Sequence, residues 1–172
     1  KKKSWFKVKQ WDDYIGWVHE FNLIDSTVYD KYQLKHKDWY IVNDRIAKIY
    51  NKKQNNIKFL SLGTILPVLS TNNGKSTIIL PDSQEYIIDE KKLFKYNLNR
   101  SLGDMMESIL SLVGTPYKWG GKTGFGFDCS GLTQMIFRMM NINIPRDSSN
   151  QIKSDNLSKV DSSQTCDLIF FK

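Results

Sequence analysis

The sequence predicts an α+β fold in which small β-barrels come first and a helix-containing domain follows. The first ninety residues contain short runs with alternating or aromatic-rich patterns, and turn residues such as TNNGK and LPDS separate them. This spacing is typical of small barrels. From Ser101 onwards, apolar residues recur with the period of a helix. The six predicted strands are SWFKVKQ, YIGWVHE, RIAKIY, NIKFLSL, STIIL and EYIID.

A weak internal repeat divides the β-rich part into two units. The segments YIGWVHEFNL and EYIIDEKKL each close a β-rich block with an aromatic residue, an aliphatic pair and a final leucine. Between them, residues 25–44 mix polar and aromatic side chains without a clear period, which indicates a connection. We therefore expect a partial module at 1–26, a linker at 27–43, a second module at 44–95 and a helix-containing domain at 96–172.

The first helix is predicted to begin after Ser101. Ser101 and Asp104 form an S-x-x-D capping box, in which each residue satisfies a free backbone N–H at the helix start. Gly114 and Pro116 end the helix, because glycine tolerates the left-handed conformation and proline lacks an amide hydrogen. We interpret the methionine-containing stripe of this helix as core. The stripe is formed by Leu102, Met105, Met106, Ile109, Leu112 and Val113.

A second helix is predicted after the glycine-rich loop YKWGGKTGFGFD, with Cys129 in its first turn. The tail CDLIFFK opens with polar residues and becomes a continuous apolar run, which predicts a strand covered on both faces. The apolar face of the second helix is formed by Leu132, Met135, Ile136, Met139 and Met140.

Charge and hydropathy exclude some classes of protein. The net charge is +7 over 172 residues, but no nucleic-acid-binding motif accompanies the lysines, so we interpret them as solvated surface residues and expect no nucleic-acid partner. The longest apolar runs are far below the roughly 18 residues that a membrane span needs. The basic start KKKSWFKVKQ resembles that of a signal peptide but has no apolar segment after it, so we interpret it as mature protein or as a cut end. Two cysteines permit one bridge at most.

The stretch GFDCSG places Cys129 where a nucleophile would be useful. Free N–H groups at the start of a helix stabilise a thiolate and the oxyanion of a tetrahedral intermediate. Gly124, Gly126 and Gly131 are expected to allow sharp turns and close approach of a substrate to the backbone. The alternative is that Cys129 is a small buried hydrophobic residue, which is common for free cysteine. The pattern alone leaves both open.

Four motifs follow one another within residues 101–172: Y-x-W-G-G, D-C-S-G-L, P-R-D-S-x-x-Q and D-L-I-F-F. In this order they resemble the NlpC/P60 family of cell-wall cysteine peptidases, which implies a papain-like α+β fold. The β-rich region resembles the bacterial SH3 modules that often precede this domain, and the GWV of residues 16–18 is frequent in their closing strands. The resemblance is closest to the branch that hydrolyses the bond between γ-D-glutamate and a diamino acid in peptidoglycan stem peptides.

The resemblance implies a role for each matching residue. Cys129 would be the nucleophile that forms a thioester, and Tyr117 would point its hydroxyl toward the thiol and the oxyanion. Asp128 and Ser130 would help recognise the free amino group of the terminal L-alanine, although Asp128 is equally suited to cap the helix. Asp147 and Ser148 match the rim of the pocket, and Ser148 could instead cap a turn through Gln151. Arg146 and Trp119 would be structural supports, with the tryptophan packed under the glycine loop. No metal or organic cofactor is implied.

The sequence departs from the family pattern in two places. The family's catalytic histidine follows the D-L-I-F-F strand, whereas this chain stops at Lys172 and contains only His19 and His36, both interpreted as structural or solvated residues. We therefore expect a fragment whose missing strands lie outside the sequence or come from another chain, because an incomplete sheet would expose apolar edges. Cys166 replaces the usual glycine before D-L-I-F-F and is expected to be buried.

These observations predict a peptidoglycan cysteine endopeptidase that acts in the periplasm or at the cell surface, with cytoplasmic recycling of murein peptides as a further option. Two alternatives stay open. One is a wall-binding protein that keeps the fold without catalysis, and the other is an amidase or acyltransferase on the same fold. The sequence does not distinguish diaminopimelate from lysine as the diamino acid.

Overall fold

Strands form most of the regular structure of this α+β chain. The structure is a computed structural model that describes residues 4–24, 38–51 and 53–171. No helix in these ranges is long and apolar enough to cross a membrane. The strands are β1 (Trp5–Lys9), β2 (Ile15–His19), β3 (Trp39–Val42), β4 (Ile46–Asn51), β5 (Asn56–Ser61), β6 (Ile65–Asn72), β7 (Lys75–Ile79), β8 (Glu85–Asp89), β9 (Leu93–Lys95), β10 (Lys122–Thr123) and β11 (Gly126–Phe127), and the helices are α1 (Leu102–Leu110), α2 (Cys129–Met139) and α3 (Ser148–Gln151).

The β-rich part consists of a hairpin and a larger antiparallel sheet. Strands β1 and β2 pair with each other, and the other seven strands before Ser101 follow the order β5-β4-β8-β7-β6-β3-β9. All six predicted strands are confirmed. Sequence patterns missed β3, β6 and β9, because β6 contains Pro67, which argues against a strand, and β9 has only three residues. Strand β3 lies inside the stretch predicted to be a linker, so the last residues of that stretch belong to the sheet.

The internal repeat is visible in the backbone at an offset of 70 residues. In the β1–β2 hairpin, Gln10 and Tyr14 pair across a turn whose Asp13 has a φ of 62°, and in the β7–β8 hairpin Leu80 and Gln84 pair across a turn whose Ser83 has the same φ. Each hairpin then continues into one 3-10 turn, Glu20–Asn22 in the first and Glu90–Lys92 in the second.

The start of each 3-10 turn is capped by a side chain at the equivalent position. The Nδ1 atom of His19 accepts from the Phe21 amide, and the carboxylate of Asp89 accepts from the Lys91 amide. The two segments therefore form the same local structure, and His19 has a structural role at the end of β2. His36 lies outside the described residues.

Helix α1 begins as predicted but contacts the core through a narrower face. The capping box is present, with the Ser101 amide 2.9 Å from the Asp104 carboxylate and the Asp104 amide 3.2 Å from the Ser101 hydroxyl. Met105 is buried, whereas Met106 and Val113, predicted to be core residues, are exposed. Val113 lies beyond the end of the helix at Leu110, and Met106 lies on a side of the helix that faces solvent.

A shared hydrophobic core joins the β-rich part to the helices. Ile41 of β3 and Leu62 after β5 pack with residues of α1, α2 and β11. Gly63, which has a φ of 78°, lies so close to α2 that a Cβ atom would meet the end of Met135 at 1.8 Å. The core residues contributed by the second part of the chain are Met105, Leu112, Phe127, Met135 and Met139.

The glycine loop also docks on the sheet through polar contacts. The amide of Gly124 donates to the Ser61 hydroxyl at 2.7 Å, and its carbonyl accepts from Nε of Arg45 at 3.1 Å. A Cβ atom on Gly124 would lie 2.0 Å from the carbonyl oxygen of Arg45. Only glycine fits at this position, because the atoms that a Cβ would meet first are the backbone carbonyl oxygen and carbon of Arg45.

The tail is not a strand over its described residues, contrary to the prediction. Ile169 and Phe171 are exposed, and the described residues contain no strand paired with this run. An isolated apolar segment has no ladder partner for its backbone groups, so the β pattern alone does not fix its conformation. Cys166 is also exposed rather than buried, and it has a φ of 83° in the turn that precedes the run.

Substituting Gly124 with alanine should destabilise the protein. The added methyl group must displace backbone at Arg45, which we expect to lower the free energy of unfolding by about 1–3 kcal/mol. Gly103 is a matched control, since a Cβ there makes only an ordinary 3.6 Å contact inside α1. Gly103→Ala should raise stability by up to about 1 kcal/mol through helix propensity. Urea unfolding of both variants measures the difference, and equal effects would contradict the packing argument.

Candidate active site

Cys129 is the first residue of α2, and its side chain is exposed. It lines a cavity of about 360 Å³. The prediction of a helix start facing open space is therefore confirmed, and the alternative of a buried thiol is wrong. The cavity also brings together all the other residues that the sequence singled out for the site, which are Tyr117, Asp128, Ser130, Asp147 and Ser148. Their roles in binding and catalysis remain predictions.

Asp128 ties the glycine loop to the start of α2. Its carboxylate accepts from the amides of Gly131 at 2.7 Å and Gly120 at 2.9 Å, from the Ser130 hydroxyl at 3.3 Å and from the Arg146 guanidinium at 2.6 Å. Helix capping by Asp128 is thus confirmed. A carboxylate offers about four lone-pair sites, so these donors occupy it. An incoming ammonium group would have to displace one of them.

Arg146 joins the second half of the site to the first. Its guanidinium also donates to the Ser130 hydroxyl at 2.8 Å, and only 8% of the Arg146 side chain is exposed. Burial raises the pKa of Asp128, but the hydrogen bond and charge of Arg146 and the amides of Gly131 and Gly120 outweigh burial and leave this pKa below its ordinary value. The predicted supporting role of Arg146 is consistent with these contacts.

The segment after Arg146 forms the short helix α3. Its N-cap residue is Asp147, without a side-chain cap, so the alternative in which Ser148 caps the turn is wrong. Asp147 is exposed at the cavity and forms no salt bridge with the described residues. Gln151 is buried and donates to the carbonyls of Ser130 at 3.0 Å and Pro145 at 2.9 Å. The glutamine of the P-R-D-S-x-x-Q motif therefore fixes α3 against the start of α2.

The three glycines around Cys129 serve packing within the protein. None of Gly124, Gly126 and Gly131 has a positive φ, and a Cβ on Gly131 would lie 2.2 Å from the carbonyl oxygen of Gly121. On Gly126, it would lie 2.7 Å from Cβ of Lys118. The expectation of sharp turns and close substrate approach at these positions is corrected, because protein atoms already occupy the space beside them.

Two aromatic residues stand at the open side of the cavity. Trp119 was expected to pack under the glycine loop, but 87% of it is exposed. The loop is closed by backbone contacts such as the Gly121 amide to the Lys118 carbonyl at 2.8 Å, which leave no space for an indole beneath. Tyr117 is 67% exposed and is held at its backbone by a parallel bridge to Phe127.

One side of the cavity comes from the amino-terminal hairpin, which sequence analysis did not predict. Gln10 and Tyr14 line the cavity at the turn between β1 and β2. Lys122 contacts this turn through its Nζ atom, which lies 2.7 Å from Oε1 of Gln10. The contact joins residues 112 positions apart, so no local pattern could have revealed it.

Among the described residues, no histidine lines the cavity, and no group of three or more potential ligands could hold a metal ion. The site therefore combines an exposed thiol with helix-start amides. The Asp128 side chain accepts a hydrogen bond from the amide of Gly131, and the backbone carbonyl of Asp128 accepts one from the amide of Leu132 at 2.9 Å. The amides of Cys129 and Ser130 have no acceptor inside the helix. Such amides can stabilise an oxyanion beside the sulfur.

An exposed cysteine at a helix start, next to a cavity with polar walls, is an arrangement that thiol-dependent acyl-transfer sites use. Residues 114–172 match the model of the NlpC/P60 family. The chain is 30% identical, over 99% of its length, to a gamma-D-glutamyl-L-lysine dipeptidyl-peptidase of Bacillus cereus, and 27% identical, over 92% of its length, to a protein of the same name from Bacillus subtilis.

A crystal structure of an NlpC/P60 family protein from Bacillus cereus superposes with a TM-score of 0.78 at 27% identity, covering 90% of this chain and 55% of that one. The chain covers 55% and 52% of the two curated relatives. It thus spans about half the length of the relatives that it matches.

Replacing Asp128 with alanine should strongly destabilise the protein. The change removes the helix cap and leaves Arg146 buried without its charge partner, for which we expect a loss of about 3 kcal/mol in the free energy of unfolding. Asp104→Ala is the matched control, since the carboxylate of that residue accepts from the Ser101 amide in the capping box of α1 at an exposed position, and it should cost about 1 kcal/mol. Denaturant unfolding compares them, and equal losses would contradict the importance of the buried pair.

The contribution of Asp128 should also depend on pH. Because the pKa of Asp128 is lower in the folded protein, the ionised carboxylate stabilises the fold at pH values above its ordinary pKa of about 4. That stability is lost as pH falls through the lower folded pKa. The stability difference between the unsubstituted protein and Asp128→Asn, measured by unfolding at neutral and acid pH, should therefore shrink in acid. A constant difference would show that the charge of Asp128 is not the cause.

Proposed function

We propose that the protein is a peptidoglycan cysteine endopeptidase that cleaves the bond between γ-D-glutamate and a diamino acid in stem peptides. The observation that carries the proposal is the exposed Cys129 at the start of α2, inside a cavity with all the other predicted site residues. The two relatives named as gamma-D-glutamyl-L-lysine dipeptidyl-peptidases support this bond, and they favour lysine as the diamino acid.

In the proposed reaction, the thiolate of Cys129 attacks the γ-carbonyl carbon of the glutamyl residue. A thioester forms, the C–N bond breaks, and the amine of the diamino acid leaves with a proton. Water then hydrolyses the thioester and regenerates the thiol. The Cys129 and Ser130 amides would stabilise the oxyanion, and the hydroxyl of Tyr117 would assist them.

The proposed reaction also needs a base that takes the proton of the thiol. The resemblance to the family implies a histidine. His19 caps the 3-10 turn at the end of β2, and His36, interpreted from the sequence as a solvated linker residue, lies outside the described residues. A segment or second chain that pairs with the exposed apolar run at 168–171 is proposed on the same basis. The exposure of Ile169 and Phe171 supports such a partner.

The free amino group of the terminal L-alanine is proposed to bind at the acidic rim of the cavity. Asp147 suits this role because it is exposed and forms no salt bridge with the described residues. Asp128 and Ser130 would contribute mainly by shaping the rim, since Asp128 already accepts four hydrogen bonds. Ser148 lies beside Asp147 and can accept or donate one further hydrogen bond.

The β-rich part is proposed to consist of SH3-like modules at 1–26 and 44–95. The repeat at an offset of 70 residues supports two related units, because both hairpins end in the same capped 3-10 turn. Peptidoglycan as substrate favours the periplasm or cell surface, and recycling of murein peptides in the cytoplasm is the other option. A wall-binding protein without catalysis, or an amidase or acyltransferase on this fold, would fail the following test.

Cys129→Ala should abolish cleavage of L-Ala-γ-D-Glu-L-Lys, whereas Cys166→Ala should leave the rate within about twofold, since only the first thiol lies at the helix start. Both cysteines are exposed, so the second variant controls for general thiol effects. The assay uses the full-length protein, and mass spectrometry of the reaction products measures the release of lysine from the tripeptide.

Two additional substrates extend the test. The diaminopimelate-containing tripeptide decides the diamino acid, and an N-acetylated tripeptide tests recognition of the amino group. Equal turnover by the unsubstituted protein and the Cys129 variant would remove this residue from the mechanism. Absence of turnover in the unsubstituted protein, together with tight binding of the peptide, would favour the wall-binding alternative.

A further inference from the structure

We propose that Asp12 is a positioning residue, which fixes the turn of the β1–β2 hairpin on the helix of Cys129 and so sets the side of the cavity formed by Gln10 and Tyr14. This inference rests on the proposed function for its effect on substrate, but its structural part is independent of that function. Asp12 itself does not line the cavity.

The carboxylate of Asp12 is buried and bound on both oxygens. Only 1% of its side chain is exposed. One oxygen accepts from Nε2 of Gln134 at 3.0 Å and from Nζ of Lys122 at 3.3 Å, and the other accepts from the amide of Tyr14 at 3.3 Å. Asp12 therefore connects the backbone of a cavity residue to the second part of the chain.

The partner on α2 is itself rigidly held. Gln134 is fully buried, lies five positions after Cys129 in the same helix, and donates a second hydrogen bond to the carbonyl of Ile144 at 3.0 Å. Its side chain cannot turn away without breaking this bond. The Asp12 carboxylate is thus fixed in space relative to the nucleophile.

Neighbouring contacts hold the turn on both sides of Asp12. The Nζ atom of Lys122 bridges Asp12 and Gln10, and the guanidinium of Arg138 lies 3.6 Å from the ring centre of Trp11. Burial raises the pKa of Asp12, but the hydrogen bond from Gln134 and the charge of Lys122 outweigh it and lower this pKa overall. The carboxylate is therefore ionised at neutral pH, as the pairing with Lys122 requires.

The second copy of the repeat separates the local role of this aspartate from its docking role. Asp82 occupies the equivalent position and likewise accepts from a backbone amide two residues later, that of Gln84, at 3.0 Å. Its other oxygen pairs with Lys58 of the same sheet, and 29% of its side chain is exposed. Both aspartates shape their turns, but among the described residues only Asp12 links its turn to α2.

An asparagine at position 12 should weaken the link between the β1–β2 turn and α2, because it changes the hydrogen-bonding groups of the side chain but hardly changes its size. Both oxygens of Asp12 face donors, so an amide NH₂ group would meet a donor in either orientation. We expect Asp12→Asn to raise the KM for L-Ala-γ-D-Glu-L-Lys about tenfold while kcat changes less than about threefold, because the wall shifts and the thiol does not. Amide hydrogen exchange of residues 10–14 should rise in the same variant.

Asp82→Asn is the matched control and should leave KM and exchange at residues 10–14 unchanged. Trp11→Ala serves as a second variant should Asp12→Asn fold poorly, since it loosens the same turn from an exposed position, and it should give the same split between KM and kcat. The alkylation rate of Cys129 by iodoacetamide, mapped by mass spectrometry to separate it from Cys166, should be equal in all variants.

The outcomes are distinct. Faster exchange at residues 10–14 with an unchanged KM would overturn the positioning role, and so would a loss confined to kcat or a change in Cys129 alkylation. Unchanged exchange would overturn the docking itself. If the unsubstituted protein does not cleave the tripeptide, the proposed function fails. The exchange comparison between Asp12→Asn and Asp82→Asn then still decides whether Asp12 holds the turn.

Discussion

The ion pair between Asp128 and Arg146 is the constraint on which the site depends. It lies where three segments meet: the glycine loop, the start of α2 and the segment leading to α3. A buried pair contributes little net stability when complete, but it is costly to break, because a lone buried charge has no compensation. The Ser130 hydroxyl completes the link to Arg146. The exposed Cys129 therefore follows directly after a residue that is held by four hydrogen bonds.

The cavity is assembled from parts of the chain that are far apart in sequence. Helix α2 supplies Cys129 and Ser130, the segment before α3 supplies Asp147, and the β1–β2 turn supplies Tyr14. Packing makes this assembly possible, because the core that contains Met105 and Met135 extends into the strands. The β-rich part is therefore structural support for the site as well as a neighbouring unit, and its turn closes one wall.

Local patterns predicted those features that depend on local interactions. The capping box at Ser101 and the helix start at Cys129 arise from contacts within a few residues. The six patterned strands carry their signal in the alternation of neighbouring residues, although their pairing also involves distant strands. Patterns failed where distant contacts decide the outcome. Trp119 is exposed because backbone bonds close the loop beneath it, and the run at 168–171 lacks a partner strand among the described residues. Gln10 and Tyr14 lie at the cavity in a turn that contacts Lys122. Lys122 is 112 positions from Gln10 in the sequence, so no local periodicity encodes this contact.

The close approach of Gly63 to Met135 bears on how the chain can be divided. Gly63 lies in the turn between β5 and β6, and Met135 belongs to α2. The sheet has a core of its own around Ile49 and Tyr86, whereas the core of the helical part is shared with Ile41 and Leu62. A recombinant piece that starts at Ser101 would present the apolar side of α2 to water in place of Ile41 and Leu62, and exposed surface of that kind promotes aggregation. The boundary between the β-rich and helical parts is thus a boundary in sequence, whereas the hydrophobic core of the helical part crosses it.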